Sequence, residues 1–333
     1  MSLERAAAAF SISALGCLLS GRAVIHQLTA RRWIQPIRHE DCPPLLPLQE
    51  GKHGTPTMGG LLVLGVAVFV AALFGGLNGR EGWLVLMAIA GLGAIGWVDD
   101  LMKLRQPNAK GLPVRPKLLA ALGIGGVVGW ALADPALGYQ QVLVPWLGRS
   151  ITFGIWWIPL AMLVVAGSAH AVNLTDGMDG LAVGCLSIAF VALAALTVMH
   201  PWGWDMMPSS ATVWCASLAG ACIGFLWFNS YPASVFLGDV GALGLGAALG
   251  VLALLTHTAL ALMIVGGVFV AEAVSVMLQV ASYRWRNRRR IFRVAPLHHH
   301  FHVGGISEQQ LVVRFWIVGA LLAALGVTAL ARS

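Results

Sequence analysis

Charged side chains are scarce in this sequence. Asp, Glu, Lys and Arg make up 11% of its 333 residues, whereas 58% of the residues are hydrophobic. An average soluble domain carries about 25% charged residues. The shortage excludes an ordinary soluble domain and indicates that lipid surrounds most of the chain.

Cysteine pairs are missing as well. The chain has five cysteines, and none of them belongs to a C-x-x-C pair of the kind that binds metal or carries out thiol chemistry. Four of the five lie in apolar runs, where cysteine packs as a small hydrophobic side chain. We therefore expect no disulfide framework.

Long apolar runs are present instead. A bilayer core of about 30 Å is crossed by about 20 apolar residues of helix. The runs are continuous in Leu, Ala, Val and Gly rather than alternating, which favours helices over a barrel. We predict an all-α membrane protein, a single domain over 1–333 with ten transmembrane helices. The predicted helices cover residues 6–28, 58–77, 82–98, 118–137, 151–172, 180–199, 211–228, 240–256, 259–281 and 311–331.

The basic residues are dispersed among the connections between these helices. No groove-reading motif accompanies the net charge of +7, so no nucleic-acid partner is expected. Fifteen Lys and Arg residues lie in connections that follow odd-numbered helices, whereas four lie near the termini or in connections that follow even-numbered helices. Cytoplasmic connections carry the excess of positive charge. We therefore predict that both termini face outward and that the connections after odd-numbered helices lie in the cytoplasm.

The acidic residues gather on that same predicted side. Five aspartates stand at cytoplasmic helix ends: Asp99, Asp100, Asp176, Asp179 and Asp239. The positive-inside rule does not explain this, because Asp and Glu contribute little to it. The connections at 173–179 and 229–239 contain no basic residue, so we expect a positive group from elsewhere to reach them.

Asp99 and Asp100 are adjacent, and Lys103 follows close behind them. Neighbouring carboxylates raise each other's pKa unless a cation holds them. Mg²⁺ commonly takes one or two carboxylates and leaves its other positions to water and phosphates. The pattern predicts a magnesium site with Lys103 near a phosphate. The alternative is a solvated helix end with an i, i+3 ion pair.

The segment 173–180 contains Asp176 and Asp179 with glycines that permit a tight turn between two helices. It is too short for an EF-hand and lacks the terminal Glu. Its carboxylate and amide groups could bind the edge of a nucleobase. The alternative is a capped turn in which Asp179 is the N-cap of the next helix.

The segment 229–241 ends one helix before Pro232 and begins the next at Asp239, which glycines flank. An Asp at a helix N-terminus can hold a metal ion while neighbouring amides face a phosphate. Helix capping alone is the alternative.

Two further segments are candidates for phosphate or sugar binding. Lys52 and Thr57 lie in a glycine-containing stretch directly before a helix, which suits a phosphate; an N-capped helix entry is the alternative. His298, His299 and His300 follow a cluster of arginines that we expect at anionic lipid headgroups. Adjacent histidines rarely point at one metal and no cysteine is nearby, so hydrogen bonding to substrate is favoured over zinc.

Four polar residues interrupt the predicted membrane helices: Arg22, His170, Glu272 and Arg314. Such residues are costly in lipid unless they are paired, solvated or near a membrane end. His170 lies one turn before Asn173, so we predict that it borders the site. Glu272 fits either a functional carboxylate or a structural partner.

At these segments the sequence resembles the polyprenyl-phosphate N-acetylhexosamine-1-phosphate transferase superfamily of glycosyltransferase 4 type, and within it the phospho-N-acetylmuramoyl-pentapeptide-transferases. The resemblance runs from about Gln35 to the C-terminus. Its most specific parts occur in the family's order, at 54–60, 98–100, 173–180, 236–241 and 295–301.

The resemblance implies an enzyme that transfers phospho-N-acetylmuramoyl-pentapeptide from its UDP-linked donor to undecaprenyl phosphate, releasing UMP and requiring Mg²⁺. This is the first membrane step of peptidoglycan synthesis, so the resemblance also implies a protein of the cell inner membrane. One alternative keeps the reaction and changes the donor to UDP-N-acetylglucosamine. A more remote alternative is an ion-coupled transporter, which would place carboxylates near the bilayer midplane. The sequence leaves the oligomeric state open, with a homodimer among the options.

The resemblance also implies roles for individual residues. Asp239 would be a magnesium ligand, with Asp99 and Asp100 at the reacting phosphates and the metal, and Phe236 would stack on uracil. The other residues of the implied uridine pocket are Asn173, Asp176, Gly177, Met178, Asp179 and Asn229. The groups implied at phosphates or sugar are Lys52, Thr57, Lys103, His298, His299 and His300.

This sequence departs from the family's pattern at a few positions. His170 stands where an Asn is usual, His302 stands where an acidic residue usually follows the histidines, and Ala242 replaces a common Ser. The segment 43–51 is also atypical. The metal and phosphate segments are intact, so the reaction class is better supported than the sugar-peptide donor.

Overall fold

The structure, a computed structural model, describes residues 3–34, 52, 54–105, 111–199 and 209–331. Within these ranges it consists of twelve α-helices, one two-stranded hairpin and two short 3-10 turns. In chain order the helices are α1 (Leu3–Ala30), α2 (Gly60–Leu73), α3 (Gly79–Arg105), α4 (Val114–Ala131), α5 (Trp157–Thr175), α6 (Leu181–Met199), α7 (Ser209–Asn229), α8 (Gly238–Leu255), α9 (Leu262–Val265), α10 (Gly267–Trp285), α11 (Leu297–Val303) and α12 (Glu308–Ala331).

Seven of these helices are long and apolar enough to cross a bilayer: α1, α3, α5 with the turn before it, α6, α7, α8 and α12. They confirm the prediction of a multi-pass, all-α membrane protein. Helix α2 is apolar as well, but it has only 14 residues. The number of ten crossings and the outward orientation of both termini stay predictions.

Four predicted helices differ most from the structure in their bounds. The helix predicted at 82–98 continues to Arg105, so Asp99 and Asp100 lie within α3 rather than after its end. The helix predicted at 118–137 ends with α4, and a 3-10 turn follows it. The helix predicted at 151–172 begins only at Trp157, because a β-strand occupies its first residues. The helix predicted at 259–281 is interrupted at Gly266, which separates α9 from α10.

The hairpin joins strands β1 (Gln141–Val144) and β2 (Arg149–Thr152), which pair antiparallel with the first residue of β1 opposite the last of β2. It packs beside the C-terminal end of α8, where the backbone N–H of Leu143 donates to the carbonyl of His257 over 2.9 Å. The hairpin therefore marks the end of the bundle opposite to the N-terminus of α8.

Helix α8 lies at the centre of the bundle, and each of its residues except Asp239 is buried. Helices α3 and α5 pack along it, and glycines permit their close approach. A side chain at Gly96 of α3 would collide with the backbone of Asp239, and one at Gly246 would collide with α5 at Ala169. Such small residues are typical of helix contacts in membranes. The packing holds the C-terminal end of α3 against the N-terminal end of α8.

Candidate active site

Three carboxylates from two helices meet at this end of the bundle. Asp99 and Asp100 lie near the C-terminal end of α3, and Asp239 lies in the first turn of α8. Each offers an oxygen atom, and these oxygens lie within 4.8 Å of one another. Asp99 and Asp100 are buried, and Asp100 accepts a hydrogen bond from the backbone N–H of Val240 over 3.2 Å. We call these three aspartates the acidic cluster.

Two lysines neutralise part of the acidic cluster. The ammonium of Lys103 lies 2.5 Å from Asp99 and 3.1 Å from Asp239. It is 3.9 Å from Asp100, so the close pair within the helix is i, i+4 rather than the i, i+3 pair considered from the sequence. Lys117 of α4 lies 3.1 Å from Asp99 and 3.3 Å from Asp239. Three carboxylates facing two ammonium groups leave a formal charge of −1.

The acidic cluster fits a hard divalent cation. Carboxylate oxygens are the ligands that Mg²⁺ prefers in proteins. Among the described residues, these three aspartates form the group of His, Cys, Asp or Glu side chains close enough together to hold a metal ion. The surplus negative charge adds to this fit, because it favours a cation over a neutral ligand.

Two polar side chains border the acidic cluster. The amide of Asn173 donates to Asp239 over 3.1 Å, which joins the end of α5 to α8. The hydroxyl of Thr57 is buried and has no hydrogen-bond partner among the described residues. A side chain at Gly238 would lie within 3.0 Å of both Thr57 and Asp100, so glycine leaves room for these two groups. An unpartnered buried hydroxyl here is a donor available to a ligand.

A second group of charges lies on the same rim, and we call it the lysine clasp. The ammonium of Lys52 lies 2.6 Å from Asp179 and 2.6 Å from Glu308, the first residue of α12. The same Glu308 oxygen accepts from the backbone N–H of Asp179 over 2.8 Å. Burial alone would lower the pKa of Lys52, but the charges of Glu308 and Asp179 outweigh it and leave this pKa raised. The ammonium lies 6.0 Å from the centre of the Phe236 ring.

The loops at 173–180 and 229–237 are tied together by hydrogen bonds. Asp179 accepts from the backbone N–H of Ala233 over 3.0 Å. Asn229 accepts from the backbone N–H of Gly180 over 3.2 Å and donates to the carbonyl of Val235 over 2.9 Å. Asp179 therefore links the two loops. Its side chain contacts Lys52 and the backbone of Ala233. These contacts differ from the capping of the next helix that the sequence offered as the alternative.

Asp176 follows the last residue of α5 and is partly exposed. Loss of water around it raises its pKa to about 8, and the negative charges of Asp239 and Asp100 add to the effect. In its protonated form, which the raised pKa favours, the carboxyl group can donate a hydrogen bond instead of only accepting one.

The three histidines lie in the short helix α11, and their rings have different surroundings. His298 is fully buried, its backbone N–H donates to both Glu272 oxygens over 3.2 and 3.3 Å, and its Nδ1 lies 3.1 Å from the same carboxylate. Its Nε2 faces Gly177, where any side chain would collide with it. The ring of His299 packs against that of His298. Burial lowers the pKa of His299 to about 3, with contributions from His298 and His302.

His300 has another environment. Its Nδ1 accepts from the backbone N–H of Arg293 over 3.1 Å, and its ring contacts Phe292 and Phe301. These contacts hold α11 against the segment that precedes it.

Comparison with known proteins identifies the family. The model of glycosyl transferase family 4 matches residues 82–257, a range that contains the acidic cluster and both loops. The chain belongs to this family. It is 44% identical over 291 residues to a phospho-N-acetylmuramoyl-pentapeptide-transferase of Thermodesulfovibrio yellowstonii, covering 84% of this chain and 81% of the relative. It is 42% identical to a protein of the same name from Methylacidiphilum infernorum, over 98% of this chain and 93% of that relative.

In this family 4 protein, most of the predicted site residues fall into three neighbouring groups. Around the acidic cluster lie Asp99, Asp100, Asp239, Lys103, Asn173 and Thr57. Around the lysine clasp lie Lys52, Asp179, Phe236 and Asn229. Around His298 lie Gly177 and His299. Met178 is buried beside this turn, and His170 in α5 has a buried Nε2 without a hydrogen-bond partner among the described residues.

Sequence reasoning missed two residues of the site and left a third undecided. Lys117 was counted only among the basic residues of a connection, and Glu308 was not considered. The one available signal for Glu308 was its place just before a predicted helix. Glu272 has the contacts of a structural partner, since its carboxylate accepts from the backbone N–H of His298 and lies 3.1 Å from Nδ1 of that ring.

Proposed function

We propose that this protein transfers phospho-N-acetylmuramoyl-pentapeptide from its UDP-linked donor to undecaprenyl phosphate, giving UMP and the lipid-linked product. The names of relatives that are 40–44% identical over most of the chain support this reaction. The observation that carries it is the acidic cluster, which lies with two lysines at one end of a bundle of membrane helices.

We further propose that Asp239, Asp99 and Asp100 hold Mg²⁺. When bound, this ion would shield the negative charge of the diphosphate and of the departing UMP. Phosphoryl transfer needs mainly positioning and charge stabilisation from the protein. Lys103 and Lys117 would supply positive charge to two anions that otherwise repel each other. The lipid phosphate is already largely ionised near neutral pH, so we infer direct in-line attack without an essential base.

The lysine clasp would form the nucleoside side of the site. Phe236 lies beside the Lys52 ammonium, and Asp179 and Asn229 fix the two loops around it. This arrangement supports the proposal that Phe236 stacks on uracil. Lys52 is already paired with two carboxylates, which favours a role in holding this pocket over a direct phosphate contact.

The remaining parts of the proposal concern the membrane. The chain would form one domain in the cell inner membrane with ten crossings, both termini outward and the acidic cluster at the cytoplasmic face. The excess of Lys and Arg on that side supports this orientation.

Purified protein in detergent tests the function. It is incubated with undecaprenyl phosphate, Mg²⁺ and either UDP-N-acetylmuramoyl-pentapeptide or UDP-N-acetylglucosamine, and UMP and lipid-linked product are quantified. We expect stoichiometric UMP and product with the muramoyl-pentapeptide donor and little with the other. Turnover restricted to UDP-N-acetylglucosamine would reassign the donor. Product formation without UMP would overturn the reaction.

A further inference from the structure

Arg22 is a charged residue within the membrane helix α1. It lies eight residues before the helix end at Ala30, a rise of about 12 Å. No ion pair between described residues includes Arg22 or the neighbouring His26. A basic residue at this depth is costly unless an anion or water reaches it. No carboxylate of the described residues pairs with it, and an anion held in the groove beside it would supply the missing charge.

A groove runs between α1 and α7 beside this arginine. Its volume is about 400 Å³, and it is lined by Arg22, Ile25, His26, Trp227, Phe228 and Ser234. Gly21 lies directly on the Phe228 ring, where any larger residue would collide, so the two helices are in close contact at the base of the groove. Arg22 and His26 are four residues apart and therefore share one face of α1.

The lining combines two chemistries. Arg22, His26 and Ser234 offer hydrogen-bond donors, of which the guanidinium matches a phosphate with two parallel bonds. Ile25, Phe228 and the largely exposed Trp227 offer an apolar wall, and tryptophan is typical of the membrane interface. This is the chemistry of a phospholipid, whose phosphate lies next to its acyl chains.

We propose that this groove binds an anionic phospholipid, with Arg22 and His26 at its phosphate and its acyl chains along Trp227. The polyprenyl phosphate acceptor is the less suitable occupant. Its phosphate has to reach the acidic cluster, and none of the carboxylates or lysines of that cluster lines the groove.

The bound lipid would support the proposed active site, a step that rests on the proposed function. Ser234 lines the groove, and its backbone N–H donates to the carbonyl of Phe228 over 2.7 Å. The adjacent Ala233 donates to Asp179, and Asn229 donates to Val235. A lipid held at Ser234 therefore braces the loop that carries the nucleoside side of the site. We expect anionic lipid to lower the KM for the donor.

Lipid binding and turnover are measured separately on the full chain. Protein in phosphatidylcholine nanodiscs is titrated with phosphatidylglycerol, and the retained phosphatidylglycerol is counted by native mass spectrometry. We expect the variant Arg22→Gln/His26→Gln to bind it roughly tenfold more weakly, because the charged guanidinium and the imidazole beside it are both lost to the phosphate. Arg22→Lys should keep part of the binding, since it keeps the positive charge but loses the planar guanidinium that can form two parallel hydrogen bonds to a phosphate. Arg5→Gln, near the other end of α1, is the matched control.

Each outcome decides the proposal. Unchanged retention in the double variant, or an equal loss in Arg5→Gln, would overturn it. Displacement of bound phosphatidylglycerol by equimolar undecaprenyl phosphate would overturn the choice of a phospholipid. If wild-type protein binds phosphatidylglycerol at Arg22 and yet releases no UMP, the proposed function fails while the lipid site stands.

Discussion

The acidic cluster and the lysine clasp are built from the same residue types and carry the same formal charge of −1. Their geometry differs. In the clasp, one ammonium lies 2.6 Å from each of two carboxylates. In the cluster, oxygens of three carboxylates lie within 4.8 Å of one another and two lysines bridge them from the side. Both carboxylates of the clasp are occupied by the Lys52 ammonium and by backbone N–H groups, whereas the cluster brings oxygens of three carboxylates close enough together to hold a cation.

The two groups also differ in what holds them. The acidic cluster depends on helix packing, because glycines of α3 and α8 bring their ends together. The clasp joins segments that are distant along the chain, since Lys52 and Glu308 are 256 positions apart. Changes in the cluster should therefore alter the chemical step. Changes in the clasp should alter the binding of the nucleotide.

The largest effect is expected from Asp239→Asn, which keeps the size of the side chain and removes its charge. We expect kcat to fall by about 100- to 1,000-fold, the scale seen when one charge-stabilising group of an active site is lost. The half-saturating Mg²⁺ concentration should rise as well, because a ligand oxygen loses its charge. UMP release over a Mg²⁺ titration measures both quantities.

Asp134→Asn is the matched control for this variant. Asp134 is exposed and caps the 3-10 turn after α4, where it accepts from the backbone N–H of Ala136. The Asp134→Asn variant should release UMP at the wild-type rate. Normal turnover of Asp239→Asn, in protein that unfolds at the wild-type temperature, would mean that the metal ligand has been assigned wrongly.

A smaller fall in kcat is expected from Lys117→Met, and this variant should bind Mg²⁺ more tightly, whereas Asp239→Asn should bind it more weakly. The variant loses a cation that faces the reacting phosphates, so kcat should drop roughly 10- to 100-fold, in line with about 1.5–3 kcal/mol for a charge-assisted hydrogen bond. Removal of this cation also leaves Asp99 and Asp239 more negative, so Mg²⁺ should bind more tightly. Arg115→Met, two residues earlier and exposed, should change neither value. An unchanged or higher Mg²⁺ requirement would show that Lys117 does not compete for these carboxylates.

Lys117 illustrates what the sequence could and could not predict. Asp99, Asp100 and Asp239 were found because each interrupts or begins an apolar run at one predicted end of the bundle. A lysine in a connection is already explained by the positive-inside rule, so nothing in the sequence separates Lys117 from its neighbours. Its role depends on the packing of α4 beside α3 and α8, which is a contact in space rather than a local pattern.

The same limit applies to the fold. Helix existence was predictable from apolar length, but the hairpin was missed because its first strand lies in a short connection between two predicted helices and the end of its second strand is continuous with the apolar run of α5. Strand and helix cannot be distinguished by hydrophobicity alone in so short a segment. The interruption between α9 and α10 at Gly266 was missed for a related reason, since glycine pairs also occur inside uninterrupted helices of this chain, as at Gly125 and Gly126.

The smallest of these effects is expected from Glu308→Gln, which would show whether the clasp is as separate from chemistry as its geometry indicates. Gln keeps an oxygen that can accept from the N–H of Asp179 but gives up the charge that holds Lys52. We expect the donor KM to rise about three- to tenfold with kcat nearly unchanged, the signature of a lost interaction that ground state and transition state share. Gln309→Ala, at the exposed next position, is the control. A fall in kcat at constant donor KM would instead place Glu308 with the acidic cluster, because only a group that acts on the reacting phosphates affects the chemical step alone.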